Sequence, residues 1–510
     1  MHVRIRARLA AALGLTALCF AQLVAVPTAW AATPQTFILV YKQQAAPGDA
    51  KTTIQRAGGT LVAVYGQIGV VIARSSNPSF RDTLLLDSRV EGAAPTGSFA
   101  TRLPADQADS DAASGDLGNS PATDTDTLSP LQWDMRQIGT PQAHAITGGS
   151  RSVLVGDIDT GIDFNHPDLR ANIDVANSAS CVGGVAEAGL AAADDLGHGT
   201  HTAGIIAAAS NGIGIVGVAP NVRIAAIKAS DEDGYFYPEA IVCAFVWAAT
   251  HGFDVTNNSY FADPYLFNCR NDPVQRAIWK AEKRAIQYAQ QQGVTVVATV
   301  GDGGEDLAHP TFDASSPTDG DVELRAVTNA CVVIPVEIPG VIGVSGVSNR
   351  LQTPGDPSSG YLKAFMSDAG VGVVDVTAPG GDSIFGKGSP SATRRILSTW
   401  PSYIPCPAAR RVKEGTTVYC YQQGAAYATP HVAGVAALII SKNGKLRPSQ
   451  VKALIDQTAD AQACPANLPA GYDSFVGTES GTFAACQGGA GNNSWYGKGQ
   501  VNALNAVSGS

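Results

Sequence analysis

A chain of 510 residues is long enough for two to four domains and for one large buried core. Only 15% of its residues are charged and glycine numbers 55, which fits an exported α/β protein and excludes a disordered chain. The net charge of −10, with no basic stripe carrying interleaved aromatics, excludes a nucleic-acid partner.

Arg4, Arg6 and Arg8 precede an apolar run from Leu9 to Val26, and Ala29-Trp30-Ala31 supplies small residues at the spacing of a cleavage site. Residues 1–31 therefore read as a signal peptide, and the mature chain as secreted and extracellular. No other stretch can span a bilayer, so no membrane attachment is expected after cleavage. Nine cysteines occur, of which Cys19 leaves with the signal. The remaining eight form no Cys-x-x-Cys pair, which argues against zinc or redox motifs. In an exported chain they predict up to four disulfides, with pairing not deducible from sequence.

Residues 32–100 predict a small α+β module in the order β-α-β-β-α-β. Its strands are Thr36–Tyr41, Thr60–Tyr65, Val70–Ala73 and a last one at Val90–Gly92, and its helices lie near Ala50–Ala57 and Asp82–Leu86. A unit of this size is marginal by itself and needs a surface to dock on. Residues 101–130, rich in Asp, Ala, Ser and Pro and including Asp124 and Asp126, predict a flexible, solvated acidic spacer.

From 131 to 510, β-branched runs alternate with helical ones. Strands are expected at Val153–Ile158, Val222–Lys228, Val255–Ser259, Val294–Val300 and Val341–Val347. Helices are expected at Thr200–Ala208, Pro238–Ala249, Val274–Gln292, Ala428–Asn443 and Pro448–Gln457. The alternation implies an α/β fold, a parallel sheet with helices on both faces and chemistry at the carboxyl ends of the strands.

Three stretches carry that chemistry. Asp159 stands where the first strand opens into the turn Asp159-Thr160-Gly161, a place from which a carboxylate can orient an imidazole. His198 lies between Gly197 and Gly199 at the start of an Ala-rich helix, where flanking glycines leave the ring reachable. The third stretch is Gly424-Ala425-Ala426-Tyr427-Ala428-Thr429-Pro430-His431, followed by a long apolar run. Together with Gly217–Pro220, Asp375–Gly381 and Tyr496–Asn502, these segments resemble the motifs of subtilisin-like serine proteases over residues 131–508. The resemblance implies a subtilisin-like fold in which Asp159 orients the imidazole and His198 is the general base. By order and position, the 32–100 module resembles the family's propeptide inhibitor.

Two positions depart from that pattern. Ala426 stands where the family carries the nucleophilic Ser, and a methyl group cannot attack a carbonyl. Asp302 stands where the family carries the Asn that donates to the oxyanion, and an ionised carboxylate only accepts hydrogen bonds. Ala425 and Tyr427 also replace the family's Thr and Met. Several departures at the chemical centre favour natural loss over a single engineered knockout. Tyr427, expected to point elsewhere, and Thr429, a helical turn on, are poor replacement nucleophiles.

Asn257-Asn258-Ser259-Tyr260-Phe261 matches the family segment that pairs an extended peptide, so Ser259, Tyr260 and Phe261 are candidate substrate-binding residues. Tyr260 and Phe261 can shape an apolar pocket, partly fill it, or simply pack in the core. The family commonly holds calcium; Asp263, Asp302 and Asp306 are candidate ligands, no ligand loop is complete and no cofactor is required. Three functions compete. The first is a catalytically dead homologue that binds a peptide or protein in the cleft, with its own propeptide-like module as a partner. The second is an active or residually active endopeptidase, and the third a structural domain with a vestigial cleft. An inactive chain cannot remove its own module, so its secreted form is expected to begin near Ala32.

Overall fold

Apolar residues on alternate positions of Leu154–Asp159 (β5) divide between two cores, as the two-residue period of a strand demands. Leu154 and Ile158 join the core on one face of a central sheet, and Val155 the core on the other. Every residue of β5 is buried, the mark of a parallel strand covered on both sides. In the computed structural model, which describes residues 33–97, 124–316, 324–388 and 391–508, everything below belongs to the unit Pro34–Ser510. The signal peptide, and the spacer as far as residue 123, lie outside the described residues.

The module comprises Gln35–Tyr41 (β1), Ala50–Arg56 (α1), Gly59–Tyr65 (β2), Val70–Ser75 (β3), Phe80–Leu85 (α2) and Val90–Pro95 (β4). Its antiparallel sheet has the order β2-β3-β1-β4. Phe37, Leu39 and Tyr41 face its own helices, whereas Ile38 and Val40 on the opposite face enter a core shared with the larger body.

In the larger body β5 is followed by His198–Ala207 (α3), Arg223–Lys228 (β6), Pro238–Thr250 (α4), Val255–Asn258 (β7), Pro273–Gln291 (α5) and Thr295–Thr299 (β8). Then come Ile342–Leu351 (β9), Tyr361–Lys363 (β10) and Val376–Pro379 (β11). The order is β10-β9-β8-β7-β5-β6, extended past β6 by the short strands Ala179–Ser180 and Glu187–Ala188, with β11 also paired to β9. The main run from β9 to β6 is parallel, and β10 joins antiparallel. Helices α4 and α5 cover one face; α3 and Ala425–Asn443 (α6) cover the other. Each expected strand and helix lies within a few residues of an observed one; α6 begins at Ala425 rather than Ala428, and β9 runs on to Leu351 rather than Val347.

The module's sheet face that its own helices leave uncovered packs on α4 and α5. Gly92 permits the approach of β4, because a Cβ there would stand 2.9 Å from the Cβ of Ala277. Arg284 of α5 is buried and donates to the carbonyls of Tyr41 (2.8 Å) and Ile68 (3.2 Å). Its guanidinium also meets Glu91 at 3.3 Å, and Lys280 pairs with the same carboxylate. The marginal module thus has the surface it needs.

The end of the spacer is fixed rather than solvated. Asp126 is buried and accepts the N–H groups of Asn211 and Gly212 at 2.9 and 3.1 Å, while the Leu128 N–H donates to Gly214 O at 2.7 Å. A run of polar residues disguised a docked strap, since its contacts are backbone groups of a distant loop. Four disulfides link Cys181–Cys243, Cys269–Cys331, Cys406–Cys420 and Cys464–Cys486. A small sheet of Ile396–Trp400 (β12), Arg411–Glu414 (β13) and Thr417–Gln422 (β14) had no periodic signal and was not expected.

Candidate functional site

Asp157 and Asp159 lie two residues apart on β5, so both carboxylates point to the α3–α6 face at the carboxyl end of the sheet. Asp159 Oδ1 accepts the N–H of Thr160 at 2.7 Å and pairs with His198 Nδ1 at 2.7 Å. Gly199 is required beneath this pair, because a Cβ there would come within 2.2 Å of Gly161 O. Asp194, which sequence reasoning left without a role, secures the start of α3 by accepting the N–H groups of Gly197 (2.8 Å) and Thr200 (2.9 Å). Asp194 has no motif of its own; the free N–H groups of a helix start were the available signal.

Burial opposes protonation of His198, but the charge and hydrogen bond of Asp159 outweigh it, with Asp157 and Asp194 adding to the pull. The imidazole is therefore more basic than usual. Asp157 is driven the other way. Burial, then the neighbouring charge of Asp159, push its carboxyl well above the usual range, against hydrogen bonds from Asn257 and Thr202. Asn257 Nδ2 donates to Asp157 Oδ1 (2.8 Å) and Ser259 Oγ (3.1 Å), and Ser259 Oγ donates to Ala426 O (2.7 Å). A buried chain of hydrogen bonds thus runs from beneath the Asp–His pair to the first turn of α6.

Ala426 is the one partly exposed residue between 421 and 440; its neighbours in that range are all buried. Asp302, on the loop after β8, reaches the same helix start. Its Oδ1 accepts the N–H of Ala425 at 2.7 Å, satisfying one of the donors that a helix N-terminus leaves unpaired. Gly424 makes this approach possible: its φ is +140°, and a Cβ would stand 2.5 Å from Asp302 Oδ2. The loop bearing Asp302 is held from behind, where Thr478 N–H donates to Gly303 O (2.9 Å) and Glu305 accepts the N–H of Glu479 (2.7 Å). The structure thus brings Asp159 to His198 and Asp302 to the helix that carries Ala426.

Tyr427 does not point away. Its ring packs against His198 at 5.1 Å and His201 at 4.6 Å between centroids, because α6 starts early enough to turn that side chain toward α3. Thr429 is fully buried and its hydroxyl donates to Ala425 O at 2.9 Å. His431 closes the motif on a structural pair, its Nε2 3.0 Å from Asp134 Oδ2 with both groups buried.

The three substrate-side candidates part company. Ser259 sits beneath Ala426, as above. Tyr260 is 3% exposed, stacks on Phe236 at 4.3 Å and donates to Asn258 Oδ1, so it fills the interior rather than shaping an open pocket. Phe261 is half-buried against the same core. The chain then turns inward, with Ala262 N–H bonded to Ile334 O at 2.8 Å.

The candidate calcium ligands do not gather into one cluster among the described residues. Asp263 accepts the N–H of Phe236 (2.6 Å), Asp302 that of Ala425 and Asp306 that of Ala308 (3.1 Å), so each serves a separate backbone donor. Among the described residues no group of three or more His, Cys, Asp or Glu side chains gathers as a metal site. Among the same residues, no helix is long and apolar enough to cross a membrane.

Comparison with known proteins agrees with this geometry. Residues 150–499 match the subtilase family. Fervidolysin of Fervidobacterium pennivorans is 30% identical over 348 residues, 67% of this chain but only 42% of that protein, so the chain spans less than half of that relative. Subtilisin DY of Bacillus licheniformis is 31% identical over 318 residues, covering 62% of this chain and 86% of that one. In fold, the chain is similar to a serine-to-alanine variant of the epidermin leader peptide processing serine protease from Staphylococcus aureus. The TM-score is 0.65 at 20% identity, over 93% of this chain and 99% of that one. With the matched segment covering well over half its length, the chain belongs to the subtilase family.

Proposed function

We propose that this protein is a secreted subtilase-fold pseudoprotease that binds a peptide or protein in its cleft without cutting it. The observation that carries this reading is the carboxylate of Asp302 on the N–H of Ala425. The positive end of a helix is where a protease would stabilise developing negative charge, and here a resident carboxylate already uses it. Beside it, Ala426 offers no atom that can attack a carbonyl. Loss of the nucleophile costs about 10⁶ in turnover in subtilisin, a member of this same family. In this reading Asp159 and His198 persist as a buried polar pair that holds β5 and α3 together. Ser259 and Phe261 border the binding cleft, and the 32–100 module stays attached as a resident partner. No metal is required.

The test uses the purified full chain, with a fluorophosphonate probe, casein turnover and N-terminal sequencing of the secreted product. No adduct, no turnover and an N-terminus near Ala32 are expected. An N-terminus inside the spacer, from material free of host proteases, would overturn inactivity.

The basic His198 supports one second reading, residual hydrolysis by a water activated at that imidazole. Slow turnover that disappears in His198→Ala would establish it.

A further inference from the structure

Beyond the cleft, a separate cavity of about 350 Å³ flanks the helix that carries His198. Its walls come from the segment after β5 and from the β12–β14 sheet, including Asp163, Trp400, Ser402, Tyr403, Thr416 and Thr417. It lies close to the Asp–His pair. The Asp163 N–H donates to Thr200 Oγ1 at 2.9 Å, two residues past His198, and the Trp400 ring lies against Gly197.

The charge in this cavity is one-sided. Asp163 Oδ1 accepts the Asn165 N–H at 3.0 Å, while Oδ2 has no protein partner among the described residues. Two nearby carboxylates are already committed: Asp194 to the start of α3 and Asp195 to Lys228 at 2.5 Å. His166, also in the wall, has its Nε2–H on Val418 O, and burial pulls its pKa down to about 4. Among the described residues no lysine or arginine lines the cavity. Burial first, and then the charges of Asp163, Asp194 and Asp195, push the Tyr403 hydroxyl well above its ordinary value. Trp400 and Tyr403 supply aromatic rings, and among the described residues the hydroxyls of Ser402, Thr416 and Thr417 make no protein hydrogen bonds. A buried carboxylate in a cavity that also has aromatic walls and hydroxyl acceptors suits an organic cation.

We propose that this cavity binds the guanidinium or ammonium head of an arginine or lysine side chain, paired to Asp163 and lying against Trp400 and Tyr403. The source of that side chain, a peptide lying in the adjacent cleft, rests on the binding reading above; the pocket chemistry does not.

The experiment titrates the full chain by calorimetry and tryptophan fluorescence with two probe pairs. The first is N-acetyl-arginine amide and its neutral citrulline twin; the second is a capped alanine-based octapeptide with one arginine and its citrulline twin. Saturable binding of the arginine probes, at least tenfold tighter than the citrulline twins, is expected. Asp163→Asn should abolish that preference, and Tyr403→Ala should weaken arginine binding several-fold, both with unchanged thermal midpoints. If arginine and citrulline forms of the octapeptide bind alike, the cation pocket falls and the peptide reading stands. If the capped amino acid binds selectively and the octapeptide gains nothing over it, the pocket stands and the peptide reading falls. Binding by neither probe, or wild-type preference in both variants, overturns the pocket.

Discussion

Asp302 Oδ1 sits 2.7 Å from the backbone nitrogen of Ala425, so the helix that carries position 426 begins on a carboxylate rather than on an open donor. The two departures that stand 124 positions apart in the chain, Asp302 and Ala426, are neighbours in one small site. A single substitution therefore should not reverse both.

The first prediction follows directly. Ala426→Ser alone restores a hydroxyl beside His198 but leaves a carboxylate against the developing oxyanion. Ala426→Ser with Asp302→Asn is expected to label with a fluorophosphonate and to exceed the single variant by about 10²–10³ in turnover, the usual worth of one oxyanion donor. Equal rates for the two would show that Asp302 does not control the site.

His198 should titrate above an ordinary histidine, because Asp159 favours its charged form more than burial opposes it. Its imidazole resonances, followed by NMR across pH, should shift to lower pKa in Asp159→Asn. That raised pKa makes a contribution to stability that is complete below the unfolded value of about 6.5 and lost as pH rises through the folded one. An unshifted midpoint in Asp159→Asn would contradict the coupling.

Arg284 joins the module to the larger body through two carbonyls and Glu91, in a buried setting. Removing one partner of a buried charged hydrogen-bond set costs about 2–5 kcal/mol. Arg284→Ala should therefore expose the module to limited proteolysis at least tenfold faster, whereas Lys280→Ala, at the exposed edge of the same contact, should change it little.

Two buried histidines and one buried carboxyl should pull stability in opposite senses across the same acid range. Burial holds His201 near pKa 3 and His166 near 4, so the unfolded chain takes up protons that the folded one refuses, and stability falls as pH drops below about 6.5. Asp168 behaves in the opposite sense. Burial raises it from 3.8 to about 7, so its contribution is complete below pH 3.8 and lost as pH rises through 7. Thermal midpoints from pH 3 to 9 test this: Asp168→Asn removes the opposing contribution, so stability should rise more steeply between pH 4 and 7 than in the wild type.

Much of the fold was legible because its elements are periodic. Most of the parallel strands are β-branched apolar runs, and the module's succession of strands and helices follows from short apolar runs broken by glycines. The β12–β14 sheet escaped notice because its strands are mixed in composition and stabilised by contacts distant in sequence. The strap at Asp126 was misread for the same reason: an aspartate that clamps a loop 85 positions away looks no different in sequence from one in a spacer. Tyr260 read as a substrate residue, yet its place against Phe236 depends on how the chain turns inward after β7.

By itself the sequence determined the family frame, the Asp159 and His198 positions, and the absence of a hydroxyl at 426, since each is written in residue identity and order. Only the tertiary structure decided that Asp302 is a helix cap on Ala425, that Asp157 lies beneath Asp159, and that Asp163 faces an aromatic-walled cavity. Those relationships rest on distances between segments far apart in the chain, and distance across a fold is set by packing rather than by local sequence.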